Sequence, residues 1–239
     1  MVIELFTGFP GGGKSYAATS TGTRIADARL GKKTVVANFP IKNKKTLFSK
    51  WRKVKEITPR WVYKSNDELT VQFLINLSIE KGWTKKESSA LLIFDEAGIP
   101  FNSRSWNRPD RAEWVLFLTQ HRKFGYDVIF ITQDTSLIDK QIRKLCEYEV
   151  IHRKMNNMIY FKFLSLFRIT LFGAISYNNA IKNSKGQLKL YIYKSSVADR
   201  YDSMNLFEYA QPSSVTSGAR VPALPGVPRG TGDEEGESA

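Results

Sequence analysis

Gly8-Phe9-Pro10-Gly11-Gly12-Gly13-Lys14-Ser15 stands between the short apolar run Met1-Val2-Ile3-Glu4-Leu5-Phe6 and a helix-like stretch from Lys14 to Leu30. A Gly-x-x-x-x-Gly-Lys-Ser spacing that follows a strand and opens a helix is the pattern of a phosphate-binding loop. Glycines let successive backbone N–H groups turn inward around phosphate oxygens, and the helix N-terminus adds its dipole. Lys14 is expected to bridge the β- and γ-phosphates of ATP, and the Ser15 hydroxyl to ligate Mg²⁺. The nucleotide-binding surface expected from this stretch is Gly8, Phe9, Pro10, Gly11, Gly12, Gly13, Lys14, Ser15 and Tyr16.

Downstream, Thr34 to Asn38 completes a strand–helix–strand unit. The continuous apolar run Ala90-Leu91-Leu92-Ile93-Phe94 ends in Asp95-Glu96, as a strand buried on both faces of a parallel sheet would. Asp95 is expected to hold Mg²⁺ directly or through one of the ion's own ligands, and Glu96 beside it can polarise the attacking water. A second buried strand, Val128 to Ile131, ends at Thr132-Gln133, which puts Gln133 where it can sense the γ-phosphate or hold that water. Helical patterns separate these strands. One starts at Asp67-Glu68 with Leu69, Phe73, Leu74 and Leu77 on one face and Asn66 as its expected N-cap; others run from Asp110 to about Lys123 and from Ser136 to Cys146. The alternation predicts an α/β, RecA-like P-loop NTPase of the additional-strand (ASCE) type with a mainly parallel sheet.

Beyond Cys146 the pattern changes to strand-like pieces at Glu149–Arg153, Met158–Phe163, Arg168–Ala174 and Leu188–Tyr193, separated by the turn signals Asn156-Asn157 and Lys185-Gly186. These predict antiparallel strands at the sheet edge. The expected organisation is one ATPase domain over 1–211, with a core to about 155 and a β extension over 156–211, then a disordered Pro/Gly-rich acidic tail over 212–239. The apolar stretch Met158–Tyr177 contains Lys162 and Arg168, and an Arg near mid-bilayer costs roughly 2.5–3.5 kcal/mol even on lenient insertion scales. Its aromatic and β-branched content favours paired strands over a membrane helix. The N-terminus lacks the basic region of a secretory leader and is expected to stay in the cytosol.

A net charge of +13 favours an anionic partner, nucleic acid or a membrane face. Much of it lies in Lys42–Lys64, where nine Lys and Arg residues face the single acid Glu56 and are interleaved with Trp51 and Trp61. That stretch could grip single-stranded DNA or dock on anionic lipid; equally, it could be a solvated loop whose tryptophans tuck into the core. Cys146 is alone, which excludes an internal disulfide, and with only His121 and His152 no usual zinc site can assemble. Arg104, Arg108, Arg122 and Arg143 are candidates for an arginine acting in trans on a neighbouring subunit, with Arg143 the first choice because it precedes the strand after Gln133.

Taken together, Gly8–Ser15, Leu91-Leu92-Ile93-Phe94-Asp95-Glu96-Ala97 and the block Gln120-His121-Arg122-Lys123-Phe124-Gly125-Tyr126-Asp127-Val128 resemble the cytoplasmic ATPase region of the zonula occludens toxin-like proteins of filamentous phages. Leu190-Tyr191-Ile192-Tyr193-Lys194-Ser195 resembles the last cytoplasmic strand of that family, so the similarity runs over roughly residues 1–200. The resemblance implies an ATP hydrolase that drives phage assembly and extrusion at the cytoplasmic face of the bacterial inner membrane. It further implies a homo-oligomeric ring that works on coat proteins or phage DNA. Family members usually continue into a transmembrane helix, whereas this chain continues into a polar tail. Attachment would then fall to a membrane-anchored partner or to the Lys42–Lys64 stretch. A DNA-packaging or translocating ring ATPase and a nucleotide-switched binding module are the other readings of the same motifs.

Overall fold

Side chains on the central strands alternate between two faces, and both faces are apolar. The computed structural model describes residues 1–27, 33–42, 60–84, 86–105, 107–157, 167, 169–181 and 185–201. Within them lie β1 (Ile3–Thr7), α1 (Lys14–Asp27), β2 (Thr34–Ala37), β3 (Trp61–Tyr63), α2 (Val71–Glu80), β4 (Ala90–Phe94), α3 (Arg111–Thr119), β5 (Tyr126–Ile131), α4 (Lys140–Leu145), β6 (Tyr148–Lys154), β7 (Leu171–Asn178) and β8 (Gln187–Ile192). Leu5, Leu92, Phe94, Val128 and Phe130 face one core with Leu74, Trp114 and Phe117 from the helices. Their strand neighbours Phe6, Leu91, Ile93, Ile129 and Ile131 face a second core with Ala18 of α1. A period of two with apolar residues on both faces is what a sheet covered by helices on each side requires.

The eight strands form one sheet in the order β3-β2-β4-β5-β1-β6-β7-β8. From β3 to β6 every pairing is parallel, and β6–β7 and β7–β8 are antiparallel. Strand β5 lies between β1, which leads into the phosphate loop, and β4, which ends in Asp95-Glu96. This is the additional-strand arrangement expected from the sequence. Because the central strands run parallel, the chain segments at their C-terminal ends converge on one edge.

Helix boundaries depart from the sequence reading wherever a tertiary partner takes over a cap. Helix α2 begins at Val71, and its N-cap is Thr70, whose hydroxyl accepts from the Phe73 amide at 3.2 Å. The expected cap Asn66 instead receives a hydrogen bond from Asn38 Nδ2 at 2.9 Å. The Asp110–Lys123 helix stops at Thr119 and continues as a 3-10 turn, His121–Phe124, closed by Gly125 at φ 78°. A Cβ at Gly125 would come within 2.8 Å of the Lys86 carbonyl oxygen, so both backbone angle and space demand glycine. The expected Ser136–Cys146 helix is split into a 3-10 turn, Thr135–Leu137, and α4, because buried Asp139 caps α4 through the Gln141 amide (2.7 Å) while bound to Arg111 (2.8 Å). At the edge, β7 starts at Leu171, three residues later than expected. Asn156 fixes that start by accepting from the Leu171 amide and donating to the Ile169 carbonyl, both at 2.7 Å. The strand expected at Met158–Phe163 and the tail over 212–239 lie outside the described residues.

Candidate functional site

The phosphate loop leaves the end of β1 beneath β6. A Cβ at Gly8 would stand 2.3 Å from the His152 carbonyl oxygen, and one at Gly12 would stand 2.9 Å from the same atom. The loop therefore keeps bare backbone against the neighbouring strand, with Gly8 also at φ 131°. Its own carbonyls are drawn together by Lys14, whose Nζ donates to Gly8 O at 2.7 Å and to Phe9 O at 3.2 Å. Burial lowers the Lys14 pKa, and the nearby carboxylates of Glu96 and Asp95 oppose that shift. Lys14 is thus a screened cation facing two acids across the loop.

Asp95 is 2% exposed, and its Oδ1 accepts from the Ser15 hydroxyl at 3.2 Å. Burial raises the Asp95 pKa, while hydrogen bonds from the Tyr201 hydroxyl, the Glu96 amide and Ser15 pull it back. Its backbone is held at both ends by one side chain: Asn38 Oδ1 accepts from the Asp95 amide at 2.7 Å, and Asn38 Nδ2 donates to the Asp95 carbonyl at 2.8 Å. The next residue, Glu96, has φ 47°, a left-handed conformation uncommon for a residue with a side chain. This turn carries Glu96 out of the strand direction, with the Gln133 side chain near enough to favour its charged form. Burial, and then the charge of Asp95, raise the Glu96 pKa above the ordinary carboxylate value. The structure therefore brings together Lys14, Ser15, Asp95, Glu96 and Gln133, all nominated by the sequence.

Two residues at this site were not nominated. Asn38 follows β2 at the same sheet edge, and its position at a parallel strand's end was an available signal. Tyr201 reaches Asp95 Oδ2 through its hydroxyl from near the end of the described chain, and nothing in the local sequence announces it. Replacing Asn38 by Ala would leave the buried amide and carbonyl of Asp95 unpaired, at a cost of about 1–3 kcal/mol for each group. Thermal unfolding of Asn38→Ala should show a loss of that order. Hydrolysis should fall more than nucleotide affinity, because the Glu96 turn loses its anchor before the phosphate loop does.

The donor set suits a nucleotide with magnesium. Ser15 and Asp95 offer hard oxygens, as Mg²⁺ prefers, and the glycine loop with Lys14 faces them from the start of α1.

A family model described as Zonular occludens toxin (Zot) matches residues 2–196. The chain belongs to the Zot family. Among its relatives, the Gene 1 protein of Escherichia phage If1 is 31% identical over 163 residues, 66% of this chain and 43% of that protein. The Gene 1 protein of Enterobacteria phage fd is 34% identical over 102 residues, 42% of this chain and 29% of that protein. These matches take in less than half of each relative's own length. The crystal structure of the N-terminal domain of zonular occludens toxin from Neisseria meningitidis superposes with a TM-score of 0.48 at 20% identity, covering 84% of this chain and 98% of that one.

In this Zot-family chain the block Gln120–Val128 lies at the sheet edge opposite the phosphate loop, before and within the start of β5. His121 is buried, with Nδ1 against the Leu118 carbonyl at 2.7 Å and a pKa lowered first by burial. Asp127 pairs with Lys33 and accepts from Ser88 and from the Val2 amide (3.1 Å), so it ties the starts of β1, β2 and β4 together. Arg122 bonds Glu147 at 2.9 Å at that same far edge. Arg143 donates to the Thr135 carbonyl at 3.2 Å, and Arg108 pairs with Asp110. Arg104 is exposed. Burial pushes His152 down to about 4 and Cys146 up to about 12, consistent with structural roles for both.

From the basic stretch, residues 43–59, Trp51 among them, lie outside the described residues. Trp61 belongs to the core, donating to the Phe39 carbonyl at 3.2 Å, and Lys64 bonds Glu68 at 3.2 Å. Among the described residues no helix is long and apolar enough to cross a membrane; the later part of the apolar stretch Met158–Tyr177 lies in β7.

Proposed function

We propose that this chain hydrolyses ATP with Mg²⁺ and uses the energy to drive filamentous-phage assembly and extrusion at the cytoplasmic face of the bacterial inner membrane. The observation that carries the hydrolase reading is Glu96, turned out of β4 beside Asp95 in a left-handed conformation with Gln133 close by. A binding-only loop has no use for a second carboxylate held in an uncommon conformation. Membership of the Zot family, with Gene 1 proteins of phages among its relatives, supports the assembly role.

Residues Gly8 to Tyr16 would hold the phosphates, with Lys14 leaving the loop carbonyls to bind phosphate oxygens. Ser15 and Asp95 would hold Mg²⁺, which when bound neutralises phosphate charge. Glu96 would take the proton of the attacking water, and Gln133 would orient that water and report on the γ-phosphate. Residues 1–211 would act as one ATPase unit in a homo-oligomeric ring. Arg143 or Arg122 would have to leave its present partner to reach a neighbour's nucleotide. The substrate would be coat protein, phage single-stranded DNA or both. Contact with the membrane would come through an anchored partner or through Lys42–Lys64.

Phosphate release by the purified chain, with and without anionic vesicles, coat protein or single-stranded DNA, tests the assignment. Stimulation by vesicles or coat protein is expected. Stimulation by DNA alone would favour a packaging or translocating motor instead.

A further inference from the structure

The segment that ends the described chain closes on the catalytic edge. A short helix, Ser195–Ala198, lies against α1, preceded by Lys194, whose amide donates to the Tyr16 hydroxyl at 2.9 Å. Arg200 is 4% exposed: its guanidinium pairs with Asp27 at the end of α1, and its carbonyl accepts from the Lys42 amide at 2.8 Å. Tyr201 then packs edge-on against Phe39, with centroids 5.1 Å apart, and its hydroxyl donates to Asp95 Oδ2, while Ser15 donates to the other oxygen of the same carboxylate.

These are the two side chains that would hold the metal. Mg²⁺ requires a near-octahedral shell of oxygens at about 2.0–2.1 Å and gives up its waters reluctantly. A phenol hydroxyl bonded to the Asp95 carboxylate beside Ser15 would compete for the oxygens such a shell would need. We propose that Tyr201 is a displaceable latch on the metal site, so that binding of Mg²⁺ with nucleotide and docking of the Lys194–Tyr201 segment exclude each other. The inference rests on the nucleotide-binding reading above. It gives the nucleotide state a direct mechanical output, release of the Lys194–Tyr201 segment. By linkage, holding that segment in place would weaken metal-nucleotide binding by the same factor.

The test uses the full chain and a non-hydrolysable ATP analogue, with analogue binding measured directly in every arm. Trypsin cleavage after Arg200 is followed by mass spectrometry. Mg²⁺ with the analogue should speed this cut several-fold, while the analogue with a chelator should not. Tyr201→Phe keeps the ring packing and removes the hydroxyl, so it should bind the analogue at a Mg²⁺ concentration lower by about tenfold or more, the equivalent of one hydrogen bond to a charged group. Cleavage unchanged or slowed by Mg²⁺ with bound analogue would overturn the latch and make Tyr201 a fixed support. So would an equal or higher Mg²⁺ requirement in Tyr201→Phe. Failure of the wild-type chain to bind analogue under any condition would overturn the nucleotide reading and the latch with it.

Discussion

Glu96→Gln is expected to bind ATP within about threefold of wild type while releasing phosphate some 10²–10⁴-fold more slowly, the usual contribution of a positioned general base. The substitution is nearly isosteric, keeps a polar side chain beside Gln133, and leaves Ser15, Asp95 and the loop untouched. What it removes is the group that can accept a proton. The pH profile supplies an independent check. Burial and the charge of Asp95 hold Glu96 above its ordinary value of 4.5, so the base form is lost as pH falls through that raised pKa. Wild-type turnover should therefore decline on the acid side before an exposed glutamate would titrate, and the residual activity of Glu96→Gln should lack that limb. Wild-type turnover in Glu96→Gln would show that the base lies elsewhere.

Lys14→Ala should lose ATP affinity by about 100-fold or more, since hydrogen bonds between charged groups are worth roughly 1.5–3 kcal/mol each and at least two are removed. The fold should tolerate the change, because Lys14 Nζ touches only the Gly8 and Phe9 carbonyls, which belong to the loop and not to the core. Isothermal titration with the non-hydrolysable analogue measures the loss, and a melting curve close to wild type separates it from unfolding. Affinity within a few-fold of wild type would mean that nucleotide is not held at this loop.

Those two residues were legible in the sequence because their roles depend on short spacings. A strand, six loop positions and Lys14-Ser15 form a local unit, as do an apolar run and the two carboxylates that end it. The sheet was legible for the same reason, since strands buried on both faces read as continuous apolar runs. Helix ends were less so. Asn66 has the right chemistry for a cap, yet its partner is Asn38, which follows β2 and precedes it by 28 residues. Asp139 likewise splits a helical pattern because Arg111 claims its carboxylate. Asn38 and Tyr201 act on Asp95 from 57 and 106 residues away, distances over which one chain carries no periodic signal.

The block Gln120–Val128 carries a different lesson. Its buried His121, its left-handed Gly125 and its Asp127 hub build the sheet edge away from the phosphate loop. The block therefore serves the fold of this chain, whereas the chemistry rests on Lys14, Ser15, Asp95 and Glu96 at the other end of the strands.

Steady-state phosphate release by the purified full chain, in ATP with Mg²⁺ and in ATP with chelator, tests the hydrolase most directly. The site described above predicts many turnovers per chain with Mg²⁺ and none with chelator. Stoichiometric binding of ATP with no phosphate released, unchanged by vesicles, coat protein or DNA, would contradict it and leave a nucleotide-switched binding module.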